Sequence, residues 1–239
     1  MAPPRGALES QTEAANSTPE HCQLPATPTP FTLSSDDDPR QALSLSEPNF
    51  RDGFDDPATC FDYATIGRSS YQFVDGQLVG TDCEPKDLYT WWTYVERQSG
   101  NTYVEVSATN GDCIAKDAVG LVIRVDPETA AGGYGVEVSC DSSWRFLRHR
   151  QGQVAEVLQG RTESEAINPG PQATNRIGLW GYANEFFVFQ NGQQLGRVVD
   201  RNLLHSFDIF ALYVRAHQTF DLMATFDDFF FWHIPFLPE

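Results

Sequence analysis

The segment 101–150, NTYVEVSATNGDCIAKDAVGLVIRVDPETAAGGYGVEVSCDSSWRFLRHR, leaves few folds open to this chain. Tyr103, Glu105 and Ser107 alternate with Val104, Val106 and Ala108, the two-residue period of a half-buried strand. Residues 120–126 and 133–139 repeat the pattern. Turn formers stand between the runs: Asn110-Gly111-Asp112, then 126–133, then Asp141-Ser142-Ser143. Cys113 precedes one middle strand and Cys140 follows the other. A strand, a reversal and a second strand return the chain to its starting end, so these two thiols meet. The expectation is an antiparallel hairpin clasped by a Cys113–Cys140 disulfide.

The same grammar runs through most of the chain. Asp75-Gly76 separates 70–74 from 77–81, and Asn191-Gly192 separates 185–190 from 193–199. Both dipeptides suit the tight turns of hairpins, because they accept positive φ. Gln151-Gly152 splits 144–150 from 154–159, and 160–174 reads as a polar loop or short helical turn. Further strands are expected at 91–95, 175–182, 210–214 and 222–234. Helical periodicity longer than two turns is absent. About a dozen strands at regular spacing, joined by tight turns, predict an all-β chain folded as a large antiparallel β-sandwich. The order suggests a jelly roll in which the first and last strands lie side by side and cover an edge.

Residues 1–48 differ from the rest. Pro, Thr, Ser, Ala and acids dominate, with PATPTP at 25–30 and Asp36-Asp37-Asp38. Such a stretch buries too little to offset its ordering entropy, so it reads as a disordered tail ahead of a sandwich at 49–239. The net charge of −17, from 16 Lys and Arg against 33 Asp and Glu, argues against nucleic acid and anionic membrane surfaces. No run of about 20 apolar residues exists to span a bilayer. The start lacks an apolar signal-peptide core, yet the cysteines argue for an oxidising compartment and so for a secreted or cell-surface protein. Four of them allow three connectivities; sequence neighbours favour Cys60–Cys83 and Cys113–Cys140, with Cys22 left over.

Three pieces of the sequence carry a family resemblance. One is KDAVGLVIR at 116–124, followed by Tyr134 and 136–140. Another is 173–177, ATNRI, followed by VFQNGQQLGRVVD at 188–200. The last is Phe226-Asp227-Asp228-Phe229 in the final strand. With FRDGFDD at 50–56 they span about 50–235, and their order resembles the concanavalin A-like jelly-roll domains of bacterial secreted and cell-surface proteins. These include laminin G-like modules and relatives of the 3-keto-disaccharide hydrolase family. The resemblance implies a fold; that fold serves lectins, glycosidases, adhesins and spacers alike.

Candidate sites follow from residue chemistry. Sugars stack on aromatic faces and bond to neighbouring amides, acids and guanidinium groups. Trp92, Tyr134, Trp144, Trp180 and Tyr182 are the candidate ligand-binding residues, with carbohydrate or a cell-surface polymer as partner. Trp180 and Tyr182 share a strand face opposite Ile177 and Leu179, so either they line a binding surface or a third layer of loops covers them. Asp52, Asp55 and Asp228 would converge if first and last strands are neighbours, and could hold a structural Ca²⁺; the competing reading is that they cap turns. No other cofactor is implied. No ExDxxE pattern of the retaining glycosidases of this fold is present, nor a GxSxG motif, and Glu105 and Glu137 read as isolated strand acids. Residues 226–232 are apolar on both faces, which requires burial on both sides or a protein partner. The expectation is a non-catalytic extracellular recognition module. The rivals are a structural or protein-interaction domain and, behind it, a glycan-processing hydrolase.

Overall fold

A computed structural model of the chain describes residues 38–56, 61, 65–85, 90, 92–96, 100–202 and 209–234. Its strands are β1 Phe50–Asp52, β2 Thr65–Ile66, β3 Ser69–Val74, β4 Gln77–Asp82, β5 Thr93–Glu96, β6 Thr102–Asn110, β7 Ala118–Val125, β8 Gly133–Ser139, β9 Ser143–His149, β10 Glu156–Glu163, β11 Thr174–Tyr182, β12 Glu185–Gln190, β13 Gln193–Val199, β14 Ile209–Arg215 and β15 Leu222–His233. Among the described residues they form two antiparallel sheets. The larger runs β13-β12-β11-β6-β15-β4-β3-β2, with β1 paired to β15; the smaller runs β10-β9-β8-β7-β14-β5. The expected pairing of first and last strands is present, Arg51 lying opposite Phe230.

The core fills the space between the sheets. Val104, Val106, Leu179, Val188, Phe226, Phe229 and Phe231 from the larger sheet meet Leu121, Ile123, Val136, Phe146, Phe210 and Leu212 from the smaller. Burying such side chains stabilises a fold by roughly 1.5–3 kcal/mol each. The disulfide joins Cys113 to Cys140 across a Cα–Cα distance of 5.9 Å, beside the expected β7–β8 hairpin. Cys83 is a free, exposed thiol; its expected partner Cys60 lies outside the described residues, as does Cys22.

Three departures from the sequence reading have physical causes. The segment expected to be a loop from residue 160 is strand as far as Glu163, because register shifts let β10 follow β9 through two irregularities. Asp227 and Asp228 break alternation, since Asp228 takes a φ of 49° at a bulge where the register slips between Asp227 and Phe230. Part of the stretch read as tail also packs on the sandwich. Asp38 caps a 3₁₀ turn at Pro39–Ala42, which lies against the larger sheet. No helix among the described residues is long and apolar enough to cross a membrane.

Candidate functional site

Five aromatic residues are expected to touch ligand, and the structure separates them. Tyr134 points between the sheets, stacks on Phe186 at 4.4 Å and donates to Asp200 at 2.7 Å. Trp144 also faces inward and packs against Gly196. Both are core residues. Trp180 and Tyr182 do share the outer face of the larger sheet. Trp180, however, is completely buried in a cluster with Tyr103, Phe189, Trp232 and Ile234. The covering layer is residues 38–44. The Arg40 guanidinium lies 3.8 Å from the Phe189 ring centre, donates to the Tyr103 hydroxyl at 3.3 Å and to the Gly192 carbonyl at 2.7 Å. The Trp232 indole donates to the Ser44 carbonyl at 3.2 Å. Burial on both sides thus accounts for the two-faced apolar strand at 226–232.

Trp92 is different. It is half-buried on the outer face of the smaller sheet, over Val122, Val125, Ile209, Ala211 and Tyr213. Its indole donates to the Ala130 carbonyl at 2.9 Å, which fixes the ring. The edge of the His149 ring meets it at 5.2 Å, and Tyr213 lies 6.1 Å beyond His149.

The rest of this face is built by strand register. Tyr213 of β14 lies opposite Gly120 of β7, Gly120 opposite Glu137 of β8, and Glu137 opposite Arg145 of β9. These four form one cross-strand row on the outer face. A Cβ at Gly120 would sit 2.0 Å from the Tyr213 ring, so glycine is what lets that ring lie across β7. Gly135 makes the same kind of room for His149, 3.1 Å from the Nε2 atom.

Glu137 is the centre of the face. Arg145 grips it from two nitrogens, Nε to Oε1 at 2.7 Å and Nη2 to Oε2 at 3.0 Å. Arg161 of β10 donates to Oε1 at 2.6 Å and also bonds to Ser139. His217 Nε2 stands 3.5 Å from Oε1, and the Tyr213 hydroxyl donates at 3.4 Å. Burial alone would raise the carboxyl pKa. Bonding to His217 and Arg145, with the charges of Arg145 and Arg215, outweighs burial and holds it far below the usual range. Burial, joined by the Glu137 charge, pushes the Tyr213 hydroxyl up. Burial pushes His149 down to about 4, and its Nε2 is buried without a partner.

His217 is held there by Asp117. The Asp117 carboxylate accepts the backbone N–H groups of His217 and Gln218 at 2.8 Å, that of Thr219 at 3.3 Å and that of Ile114 at 2.9 Å. The ATNRI piece is likewise structural, since Asn175 bonds to Asn168 and Asn191.

Two of the three acids read as a metal set have protein partners. Asp52 accepts the Phe54 N–H at 2.9 Å, the turn-capping role that competes with coordination. Asp228 lies 3.9 Å from the Arg51 guanidinium, a poor neighbour for a cation. Among the described residues no three His, Cys, Asp or Glu side chains gather as metal ligands.

Glu137, Arg161, Arg215, His149 and His217 are the residues of this cluster that the sequence does not single out, whereas Arg145 is a candidate sugar contact from the sequence alone. Glu137 reads as isolated because its partners come from four other segments. One signal was available: Gly133 and Gly135 at alternate positions of β8, with Gly120 on the neighbouring β7, leave a trough that larger residues must fill.

No protein-family profile and no curated protein matches the chain. Solved structures do. A GH43 protein, BlXynB from Bacillus licheniformis, aligns with a TM-score of 0.54 at 12% identity over 77% of this chain and 39% of its own. A xylan β-1,4-xylosidase from Bacillus halodurans gives 0.51 at 17% over 77% and 39%. A structure from work on endo-acting O-glycanases of human gut microbiota that initiate mucin breakdown gives 0.53 at 12% over 79% and 100%. The fold is a concanavalin A-like jelly roll, as the sequence resemblance implies. The chain spans about 39% of the length of the Bacillus enzymes it resembles.

Proposed function

We propose that this chain is a non-catalytic carbohydrate-recognition module whose site is the outer face of the smaller sheet. One observation carries the reading. Trp92 is half-buried with its ring fixed, on the same face as a row of polar groups centred on Glu137. An oriented aromatic face and guanidinium donors are what a sugar needs for stacking and for hydrogen bonds to its hydroxyls. The solved neighbours give support of a coarser kind, since they are described as a GH43 protein, a xylosidase and an O-glycanase-related structure. The disulfide suits the oxidising compartment where glycans are met.

Recognition is favoured over glycoside cleavage by the state of Glu137. A general acid must hold a proton near the working pH, and this carboxyl is kept ionised by its cations. Among the described residues no second carboxylate is bonded into the row. An array of plant-polysaccharide and mucin-type oligosaccharides, probed with the full chain and with Trp92→Ala, tests the proposal. Binding to a defined set that falls at least about tenfold in the variant, with folding retained, supports it. Unchanged binding by the variant, or release of reducing ends from a bound oligosaccharide by the full chain, overturns it.

A further inference from the structure

Charge is unevenly shared on this face. The chain carries 16 Lys and Arg against 33 Asp and Glu, yet three of the 16 meet here. Arg145 and Arg161 bond directly to Glu137, and the charge of Arg215 acts on it from β14. His217 closes the same group. One bidentate guanidinium is enough to satisfy a carboxylate. Among the described residues no further acid is bonded to Arg161, and Arg215 donates to the neutral Thr90 hydroxyl, so positive charge is in excess in a partly buried place, where uncompensated charge is costly. Asp141, the further acid whose charge reaches Arg161, is itself paired with Lys116.

The donors are not all spent. A guanidinium has five N–H groups, and the bonds to Glu137 use two of those on Arg145. Side chains of Arg145, Arg161 and His217 remain 17%, 20% and 24% exposed, while Glu137 is wholly enclosed. A ligand approaching this face therefore meets cations and not the carboxylate. Glu137 serves to hold the forks apart and aligned, a positioning role. At the other end of the same face stands Trp92, so an apolar sugar surface and an anionic substituent would be met together.

We infer that the saccharide bound here is anionic, carrying a carboxylate or sulfate group that docks on Arg145, Arg161 and Arg215 while its ring lies toward Trp92. The inference rests on the carbohydrate reading above and names the ligand class for the same face. In a chain of net charge −17 the attraction is local, so added salt weakens it while leaving stacking largely intact.

The test uses isothermal titration of the full chain with four probes: a glucuronic-acid-bearing xylo-oligosaccharide, a 6-sulfated N-acetyllactosamine, and the neutral counterpart of each. The acidic probe of at least one pair binds about tenfold tighter than its neutral counterpart at low salt, and added salt erodes that advantage. The pair that shows it identifies carboxylate or sulfate as the source. In Arg161→Gln the acidic probe loses more affinity than its neutral counterpart, so that the two bind the variant alike; Arg161→Lys retains part of the advantage, keeping charge without the fork. Equal binding of acidic and neutral probes overturns the inference and leaves the carbohydrate reading standing. Equal loss of both in Arg161→Gln, with the fold intact by circular dichroism, also overturns it. Binding of none of the probes overturns both. Should Arg161→Gln fail to fold, competition decides on the unaltered chain: methyl glucuronide or inorganic sulfate displaces the acidic probe and not the neutral one, and failure to displace it counts against the inference.

Discussion

The two sheets treat their outer faces in opposite ways. The larger sheet gathers Tyr103, Trp180, Phe189 and Trp232 on its outside and then covers them with residues 38–44 of the same chain. The smaller sheet gathers Glu137, three arginines and two histidines on its outside and leaves the rim of that group at the surface. The face with more aromatic area is the closed one. Aromatic content marks where area can be buried; it does not say whether a ligand or the chain itself buries it. The polar face cannot be closed so cheaply, because covering cations that lack enough anions carries a desolvation penalty.

The largest effect that separates the faces is on stability. Trp180→Ala should cost about 3–5 kcal/mol, the range for removing a fully buried tryptophan, as read by urea denaturation. Trp92→Ala should cost much less, since its ring is only half-buried. Similar losses for both would erase the contrast.

Acid comes next. His149 has its pKa depressed to about 4 in the folded state, by burial against Trp92 and Tyr213 and by the charges of Arg215 and Arg145, which together outweigh the opposing Glu137 charge. The unfolded chain therefore binds the proton first as pH falls. Stability should drop from pH 6.5 toward 4, by up to about 3 kcal/mol. Glu137, a depressed acid, adds a loss of the same sign below its unfolded value of about 4.5. His149→Phe should flatten the melting-temperature profile between pH 6.5 and 5. A profile unchanged in the variant would mean that His149 is not the neutral, enclosed group described.

The smallest effect concerns the cover. Arg40→Ala removes the contact over Phe189 and the bonds to Tyr103 and Gly192, and should cost about 1–2 kcal/mol. Acrylamide should then quench tryptophan fluorescence more strongly as Trp180 and Trp232 become reachable. Unaltered quenching would show that residues 38–44 do not close that face.

Much of the fold was legible in the sequence. Asn191-Gly192 and Asp75-Gly76 marked hairpins that are present, and Cys113 and Cys140 marked a clasp that is present. Alternation also placed Trp180 and Tyr182 opposite Ile177 and Leu179. What it left open was what lay above them, because the cover comes from a stretch whose composition reads as tail. Pro39 and Arg40 order there through contacts with residues far along the chain, and no local pattern encodes those contacts. The Glu137 row was illegible for a related reason. Its members lie on five separate segments and meet only once strand order and register are known. Only Gly120 on β7 and the alternate glycines of β8 hinted that this face must receive something large.

The measurement that bears most directly on the account is hydrogen exchange with and without the tightest-binding oligosaccharide of the array. Added protection is expected in 143–149 and 209–219, the strands and turn that carry Arg145, His149, Tyr213, Arg215 and His217, with 176–189 unchanged. Protection confined to 176–189 and 230–234, around Trp180 and Trp232, would place the ligand on the larger sheet and contradict it.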